Sequence, residues 1–335
     1  MRAAILAWIL ATAAGAAQAA DAGFKDWWVA CDNVRDCAAF GFPGNYEEQG
    51  FLKLARGGTP DAPVVVEIAA DAEGEALRVE VDGRAVAGLG ALRPEGEGAY
   101  RRVRLTPAQS AGLAAAIANG SRLDILSGGR RVGGVSLSGS SAALRWMDDQ
   151  QKRAGTSTAL VAKGPRGPET VARLPALPVV AAAPAASQTG LPRAVPRAVK
   201  ALAADCDEDI DKLEVDPIIA RLSPGVVLYG PLCSRGAYNI IYSLFLADER
   251  GRGVRPLNLR YGSGEEAGSA LMNVEFDPAT QMLSNFDKAR GVGDCGALSS
   301  WIWTGHAFEP VEQYLMGECR GVPMEDWPAV YRTRR

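Results

Sequence analysis

Few residues in this 335-residue sequence have the types and spacing that catalysis requires. His306 is the only histidine, and each of the six cysteines has a nearby cysteine with which to pair. The sequence contains no G-x-S-x-G motif, so a nucleophile–histidine pair would lack its nucleophile. An exposed turn between two strands is the simpler interpretation of His306. We therefore predict no catalytic residues.

Two pairs of adjacent carboxylates, Asp148-Asp149 and Glu265-Glu266, are the other candidates for chemistry. A glycosidase needs two carboxyl groups that face each other across a cleft. Adjacent residues on a strand or helix point apart, which favours solvated faces. A glycan hydrolase that uses carboxylates is therefore the alternative to a non-catalytic protein.

Residues 291–296 read GVGDCG and formally match the dinucleotide-binding pattern G-x-G-x-x-G. That pattern must follow a strand and open a helix, whose N-terminal amides hold the pyrophosphate. Here the next segment, Leu298 to Thr304, is rich in strand-forming residues. The glycines therefore indicate a turn that leads into a strand, and we expect no cofactor.

The sequence also offers little for a metal ion. With no C-x-x-C motif and one histidine, a zinc site is not expected. The acidic run from Asp205 to Asp216 has the spacing of a calcium loop, but Ile210 stands where the sharp turn needs glycine. Acidic residues in the first turn of a helix are the alternative, and we predict no metal site.

Trp301 and Trp303 are two residues apart and share one face of a predicted strand. Such a pair can form a platform on which a sugar stacks, and both are candidate ligand-binding residues. In a β-sandwich the same spacing more often packs the core, so core packing is the interpretation against which the platform must be weighed.

The amino terminus resembles a secretory signal peptide over residues 1–19. Arg2 precedes a short apolar run, and small residues lead to a cleavage site near Ala19. No later run reaches the roughly 18 apolar residues that a membrane span needs. We expect a soluble protein without a membrane span once the signal is removed, located in the periplasm or secreted.

Cysteines in an exported chain are expected to form disulfides, since oxidising compartments preserve them. The sequence alone permits many pairings of six cysteines. Proximity along the chain suggests Cys31–Cys37, Cys206–Cys233 and Cys295–Cys319.

Charge and composition exclude one class of partner. The formal net charge is −3, and it becomes one unit more negative when Arg2 is removed. A slightly negative net charge does not indicate the positively charged surface that binding to nucleic acid requires. A hydrophobic content of 47% supports packed cores, and the length favours two domains.

The first domain, residues 20–162, is predicted to be β-rich with one or two helices. Strands are expected at residues 64–68 and 77–81, and two hairpins follow from Asp82-Gly83 and Gly128-Gly129. Thr106 and Gln109 form a capping box for one helix, and Ser140 or Ser141 is expected to cap a second.

Residues 163–200 differ in composition, with seven of the chain's 20 prolines and runs of alanine. Such a segment is typical of an extended linker between two folded units. The second domain, residues 201–335, then shows strands at about ten-residue spacing, as in an antiparallel sandwich or partial barrel. The predicted fold class is mainly β, with two sandwich-like domains joined by a Pro/Ala-rich linker.

Several ordered motifs resemble the DUF1176 family of uncharacterised exported bacterial proteins. They lie at Phe24 and Trp27, at the Cys31–Cys37 turn, at residues 147–153, at residues 236–239 and from Gly291 through Phe308. The resemblance spans nearly the whole mature chain and implies export, but it implies no activity. Residues 24 to about 162 also show a weaker similarity to invasion-associated locus B proteins, although this chain lacks a cysteine pair in the middle of the domain.

Together these observations predict a non-catalytic binding or interaction factor of the cell envelope. Its partner would be an envelope component, either a protein or a glycan, and the sequence does not identify it.

Overall fold

The computed structural model describes residues 20–70, 76–95, 100–203, 206–207 and 215–335. The signal-peptide prediction falls on residues 1–19 and lies outside the described residues, as does most of the acidic run from Asp205 to Asp216.

The first part of the chain forms two antiparallel sheets and two helices. The elements are β1 Ala20–Phe24, β2 Trp27–Cys31, β3 Cys37–Gly41, β4 Phe51–Arg56, β5 Val64–Ala70, β6 Leu77–Val81, β7 Arg84–Ala85, β8 Arg101–Arg104, α1 Pro107–Ile117, β9 Arg122–Ser127, β10 Arg130–Ser136 and α2 Ser140–Gln150. One sheet has six strands in the order β1-β2-β3-β4-β5-β8, and the other has four in the order β10-β9-β6-β7.

The two sheets and both helices enclose the first hydrophobic core. Alternate residues of β4 and β5, such as Leu52, Leu54 and Val66, point into it and are fully buried. Leu113 of α1 and Met147 of α2 cover the same core. Strand alternation therefore turns the remaining side chains of the six-stranded sheet toward its other face.

The two helices begin in different ways. Thr106 caps α1, and its capping box with Gln109 is present as the sequence indicates. The prediction that Ser140 or Ser141 caps α2 is wrong, because Gly139, with φ +101°, occupies the cap position without a side-chain bond. The single hydroxyl hydrogen of Ser140 is instead shared between the backbone carbonyls of Ile117 and Leu137, each 2.8 Å from Oγ, which ties α2 to the end of α1.

The last part of the chain forms a second group of antiparallel sheets. After a 3₁₀ turn at Pro168–Thr170 and α3 at Arg197–Lys200, its strands are β11 Ile218–Ser223, β12 Val226–Gly230, β13 Leu232–Arg235, β14 Ile240–Ser243, β15 Phe245–Ala247, β16 Arg255–Pro256, β17 Leu259–Arg260, β18 Glu266–Gly268, β19 Ala270–Met272, β20 Glu275–Asp277, β21 Met282–Lys288, β22 Gly296–Trp303, β23 Phe308–Met316 and β24 Ala329–Arg332, with a 3₁₀ turn at Met324–Asp326. The longest strands of this half, β21, β22 and β23, lie in a five-stranded sheet with the order β20-β21-β22-β23-β24.

This five-stranded sheet is covered on both faces. One face supplies Leu283, Trp301 and Trp303 to a core with the smaller sheets of the same half. The other face supplies Leu298 and Met316 to a core that it shares with the six-stranded sheet. The two halves of the chain therefore meet through a continuous hydrophobic layer.

The prediction of a mainly β, sandwich-like fold with helices in the first part is confirmed. The domain boundaries stay a prediction. The proline-rich segment makes contacts with both halves: Ala172 accepts a bond from the Arg35 guanidinium at 3.1 Å, and the Ala183 amide donates to the Trp303 carbonyl at 2.8 Å.

Three disulfides join Cys31–Cys37, Cys206–Cys233 and Cys295–Cys319, the pairs that proximity suggests. No helix in the described ranges has the length and apolar character needed to cross a membrane.

Candidate functional site

A cleft of about 420 Å³ lies where the outer face of the six-stranded sheet meets the end of the five-stranded sheet. Strands β3, β4, β5 and β8 form its floor, and Pro328, Ala329 and Arg332 at β24 form one wall. A volume of roughly 300–1,000 Å³ is typical of small-molecule sites. Because each half contributes a wall, the cleft exists only when the two halves are packed together.

Small side chains make the centre of the cleft. Ala38, Ala55 and Val65 alternate with core residues along their strands, so they point to the side of the sheet opposite the first core. Larger residues at these positions would fill the space. The alternation of residues in β4 predicts that one face of the strand points away from the first core. The sequence does not indicate that the distant β24 would lie beside that face and close the cleft.

The acidic side of the cleft is built on Asp32. One of its carboxylate oxygens accepts bonds from the backbone amides of Val34 and Asp36 at 2.9 and 2.8 Å. The other oxygen accepts a bond from Arg332 Nε at 2.6 Å. Asn33 binds the backbone amide and carbonyl of Arg332, each at 2.9 Å. The turn closed by the first disulfide therefore holds the last strand of the chain.

The basic side of the cleft begins at Lys53, which contacts Asp326 at 3.2 Å. Arg102 of β8, two strands away in the same sheet, also pairs with Asp326. Arg104 lies 3.4 Å from Glu67, and its side chain is largely exposed. Ion pairs thus lie at both sides of an apolar floor, and such fixed polar groups can orient a ligand.

Two carboxylates line the cleft, Asp32 and Asp36, and a glycosidase would need such a pair to act as acid and nucleophile. Both bind the same nitrogen of Arg332, at 2.5 and 2.7 Å. Burial raises the pKa of the Asp32 carboxyl, while Arg332 and two backbone amides oppose that rise. Asp32 is only 1% exposed and its oxygens are already bonded, so it cannot reach a glycosidic oxygen in this arrangement.

The wall formed by Gly57 and Pro63 is held from below by buried polar side chains of the 147–156 segment. Arg153, which is 0% exposed, donates to the carbonyls of Gly57, Thr59 and Pro60. Gln151 donates to the carbonyls of Arg56 and Gly57 at 2.9 and 3.2 Å. This motif therefore fixes a loop that lines the cleft.

Two buried charged residues, Asp148 and Arg56, lie next to the side chains that hold this loop. Asp148 accepts bonds from the amides of Leu160, Val161 and Ala162 at 2.7–3.0 Å. Burial lowers the pKa of Arg56 to about 10, with a further contribution from Arg153. Asp148 is thus a buried structural group, while Asp149 is exposed.

The structure places the other sequence candidates away from the cleft. Trp301 and Trp303 are 0% and 1% exposed, and their indole nitrogens donate to the Arg260 carbonyl and the Ser223 hydroxyl at 2.6 and 2.9 Å. This placement favours core packing over a stacking platform. His306 lies exposed in the turn between β22 and β23.

Residues 291–296 form a turn into β22, and Asp294 within it pairs with Arg290 and accepts a bond from the Gly321 amide. Among the residues that the structure describes, no group of three or more histidine, cysteine, aspartate or glutamate residues is placed to hold a metal.

The fold and the cleft define a mainly β chain with three disulfides, two halves that share a core, and a cleft to which both halves contribute. This chain belongs to the DUF1176 family, described as proteins of unknown function, whose profile matches residues 21–334.

One relative is the protein described as "Uncharacterized protein YpfG" of Escherichia coli (strain K12). The two sequences are 28% identical over an alignment of 336 positions, which covers 94% of this chain and 93% of that protein. No solved structure matches the chain. The comparisons do not show the resemblance to invasion-associated locus B proteins, so that similarity stays a prediction.

Proposed function

We propose that the protein is an exported, non-catalytic binding or interaction factor of the cell envelope, and that its ligand occupies the cleft between the two halves. One observation carries this proposal: the cleft has an apolar floor of small residues between two charged sides. A concave apolar site with a few fixed polar groups is the usual form of a ligand pocket. Three disulfides support export, since such bonds persist in oxidising compartments.

The carboxylates do not favour the hydrolase alternative. Asp32 and Asp36 are held by Arg332, and Asp148 is fully buried on backbone amides. Glu266 is paired with Arg260 at 2.7 Å on an exposed strand and does not line the cleft. These contacts occupy the Asp32, Asp36, Asp148 and Glu266 carboxylates and disfavour them as acid and nucleophile.

The proposed site can be tested by a substitution that fills the cleft with a larger side chain. Residues 20–335 are immobilised and incubated with solubilised envelope and, separately, with isolated peptidoglycan. The Ala55→Trp variant places an indole in the cleft, and Ala115→Trp on the exposed face of α1 is the matched control. Circular dichroism first establishes that both variants fold.

We expect one envelope component to be retained by the wild type and by Ala115→Trp and to be lost by Ala55→Trp. Equal retention by all three proteins would place the binding surface elsewhere. Release of soluble glycan fragments from peptidoglycan would instead support the hydrolase.

A further inference from the structure

Tyr46 is an unusual surface residue because its side chain is 77% exposed and yet held in place. The guanidinium carbon of Arg320 lies 4.2 Å from the centre of the Tyr46 ring. The same guanidinium lies 5.5 Å from the ring of Phe42, which is buried. Phe42, Arg320 and Tyr46 thus form a stack whose last aromatic ring remains open to solvent.

Arg320 is itself fixed, which makes the stack rigid. It donates to the backbone carbonyls of Pro43 and Asn45, the latter at 2.8 Å. It also follows Cys319 directly, and the Cys295–Cys319 disulfide anchors that position. An aromatic ring that is already immobilised loses little conformational entropy when a ligand stacks on it.

The loop that carries Tyr46 also forms one wall of a polar depression of about 370 Å³, distinct from the cleft. Asn45 and Glu48 line it from the loop, and Arg122 and Arg131 line it from the opposite side. The Asn45 side chain accepts bonds from the amides of Glu47 and Glu48 at 3.1 and 2.8 Å, which fixes the loop.

The charged groups of the depression are held in one network. Glu48 contacts Arg131 at 2.7 Å, and the bond from Arg131 keeps the pKa of the Glu48 carboxyl below its ordinary value. Arg122 pairs with Asp124 at 2.8 Å and remains largely exposed. The depression therefore offers ionised acceptors and donors with defined positions.

We propose that Tyr46 and this depression form a saccharide-binding site. A pyranose has a flat face of C–H groups that packs on an aromatic ring, and its hydroxyl groups need fixed donors and acceptors, which the depression offers next to the loop that carries Tyr46. A cationic ligand is disfavoured because Arg320 already occupies one face of the ring. A single exposed ring beside a charged depression also lacks the apolar core of a protein interface.

The experiment measures binding of soluble saccharides to residues 20–335 by calorimetry, using a tetramer of N-acetylglucosamine and a tetramer of glucose, and cosedimentation with isolated peptidoglycan. Comparing the two tetramers distinguishes binding of an amino-sugar polymer from binding of a simple hexose polymer. Tyr46→Ala removes the ring, and Tyr46→Trp keeps a stacking surface. Tyr238→Ala, at another exposed tyrosine, is the control.

We expect at least one saccharide to bind the wild type, Tyr46→Trp and Tyr238→Ala, and to bind Tyr46→Ala roughly tenfold more weakly, as the loss of one stacking contact predicts. Unchanged binding by Tyr46→Ala, or no saccharide bound by the folded wild type, would overturn the proposal. Saccharide binding that Ala55→Trp abolishes and Tyr46→Ala leaves intact would assign the sugar to the cleft instead. The two sites are therefore tested separately.

Discussion

At the scale of single residues, the carboxyl group of Asp287 on β21 should make stability depend on pH. Burial raises its pKa, although a bond from the Asn285 side chain at 2.9 Å opposes the rise. A group whose pKa is higher in the folded state binds its proton more tightly there than in the unfolded chain. Its contribution to stability is therefore full at low pH and is lost as the pH rises through the folded-state pKa.

The Asp287→Asn variant tests this sign, because the amide oxygen can still accept the bond from Asn285. We expect the variant to gain stability relative to the wild type as the pH rises from below about 4, the ordinary aspartate pKa, and then to reach a plateau. Urea denaturation across a series of pH values measures this difference. A difference that is the same at every pH would show that the carboxyl group has an ordinary pKa in the folded protein.

Single residues also show the limits of sequence reasoning. The spacing of Trp301 and Trp303 correctly places them on one face of a strand. It does not indicate whether that face is buried or exposed, and in this sheet both faces are covered by hydrophobic cores. Tyr46 gives no signal in the sequence, because its partner Arg320 is distant along the chain and the loop between β3 and β4 has no periodic pattern. Contacts between remote residues are set by tertiary packing, which local pattern does not encode.

At the scale of elements, the Cys295–Cys319 disulfide should matter to more than its own hairpin. It joins the start of the β22 segment to the chain after β23, and Arg320 then reaches back to the loop at Pro43. The Cys206–Cys233 disulfide spans a similar separation, 27 residues against 24, and no hydrogen bond from the described residues next to it reaches the first half. The two bonds therefore form a matched pair for comparison.

Replacing both cysteines of either disulfide with alanine should cost about 3 kcal/mol, because the chain-entropy contribution depends on the length of the closed loop. Chemical denaturation measures that loss. Native-state hydrogen exchange should separate the two variants: only Cys295→Ala/Cys319→Ala should increase exchange in the loop at residues 42–50. Increased exchange there in both variants would contradict the proposed route through Arg320.

The elements that could be predicted from sequence are those with local signals. The capping box at Thr106 and the glycine-containing hairpins occur where their residues indicate. The start of α2 could not be predicted, since Ser140 and Ser141 resemble caps but Gly139 approaches so close to Phe24 that an added Cβ would lie 1.8 Å from its carbonyl oxygen. Glycine is required at this position because the backbones of two segments that are remote in sequence lie in contact there.

At the scale of the whole molecule, the shared core joins the two halves. Trp28, Phe40 and Phe51 of the six-stranded sheet pack with Met316 and Trp327 of the last part of the chain. The sequence indicates two β-rich parts, but it does not reveal that the second face of the first sheet is covered. Without that cover, several large buried side chains would face water, at a cost of about 1.5–3 kcal/mol each.

This packing predicts that the described halves unfold together in one cooperative transition. Gly317 provides a precise test, because a Cβ added there would lie 2.7 Å from the Trp28 indole nitrogen, across the boundary between the halves. Gly317→Ala should destabilise the protein by about 1–3 kcal/mol through overpacking. Gly133→Ala in β10 is the control, since its nearest contact would be 3.9 Å away.

Hydrogen exchange measured on peptides from both halves decides whether the coupling is real. In Gly317→Ala, exchange through global unfolding should accelerate equally in β4 and in β12, although β12 lies outside the shared core, because a cooperative unit loses stability as a whole. If only peptides next to Gly317 exchanged faster, or if urea produced two separate transitions, the halves would be independent domains. Cooperative unfolding would instead mean that the cleft, whose walls come from both halves, is as stable as the fold itself.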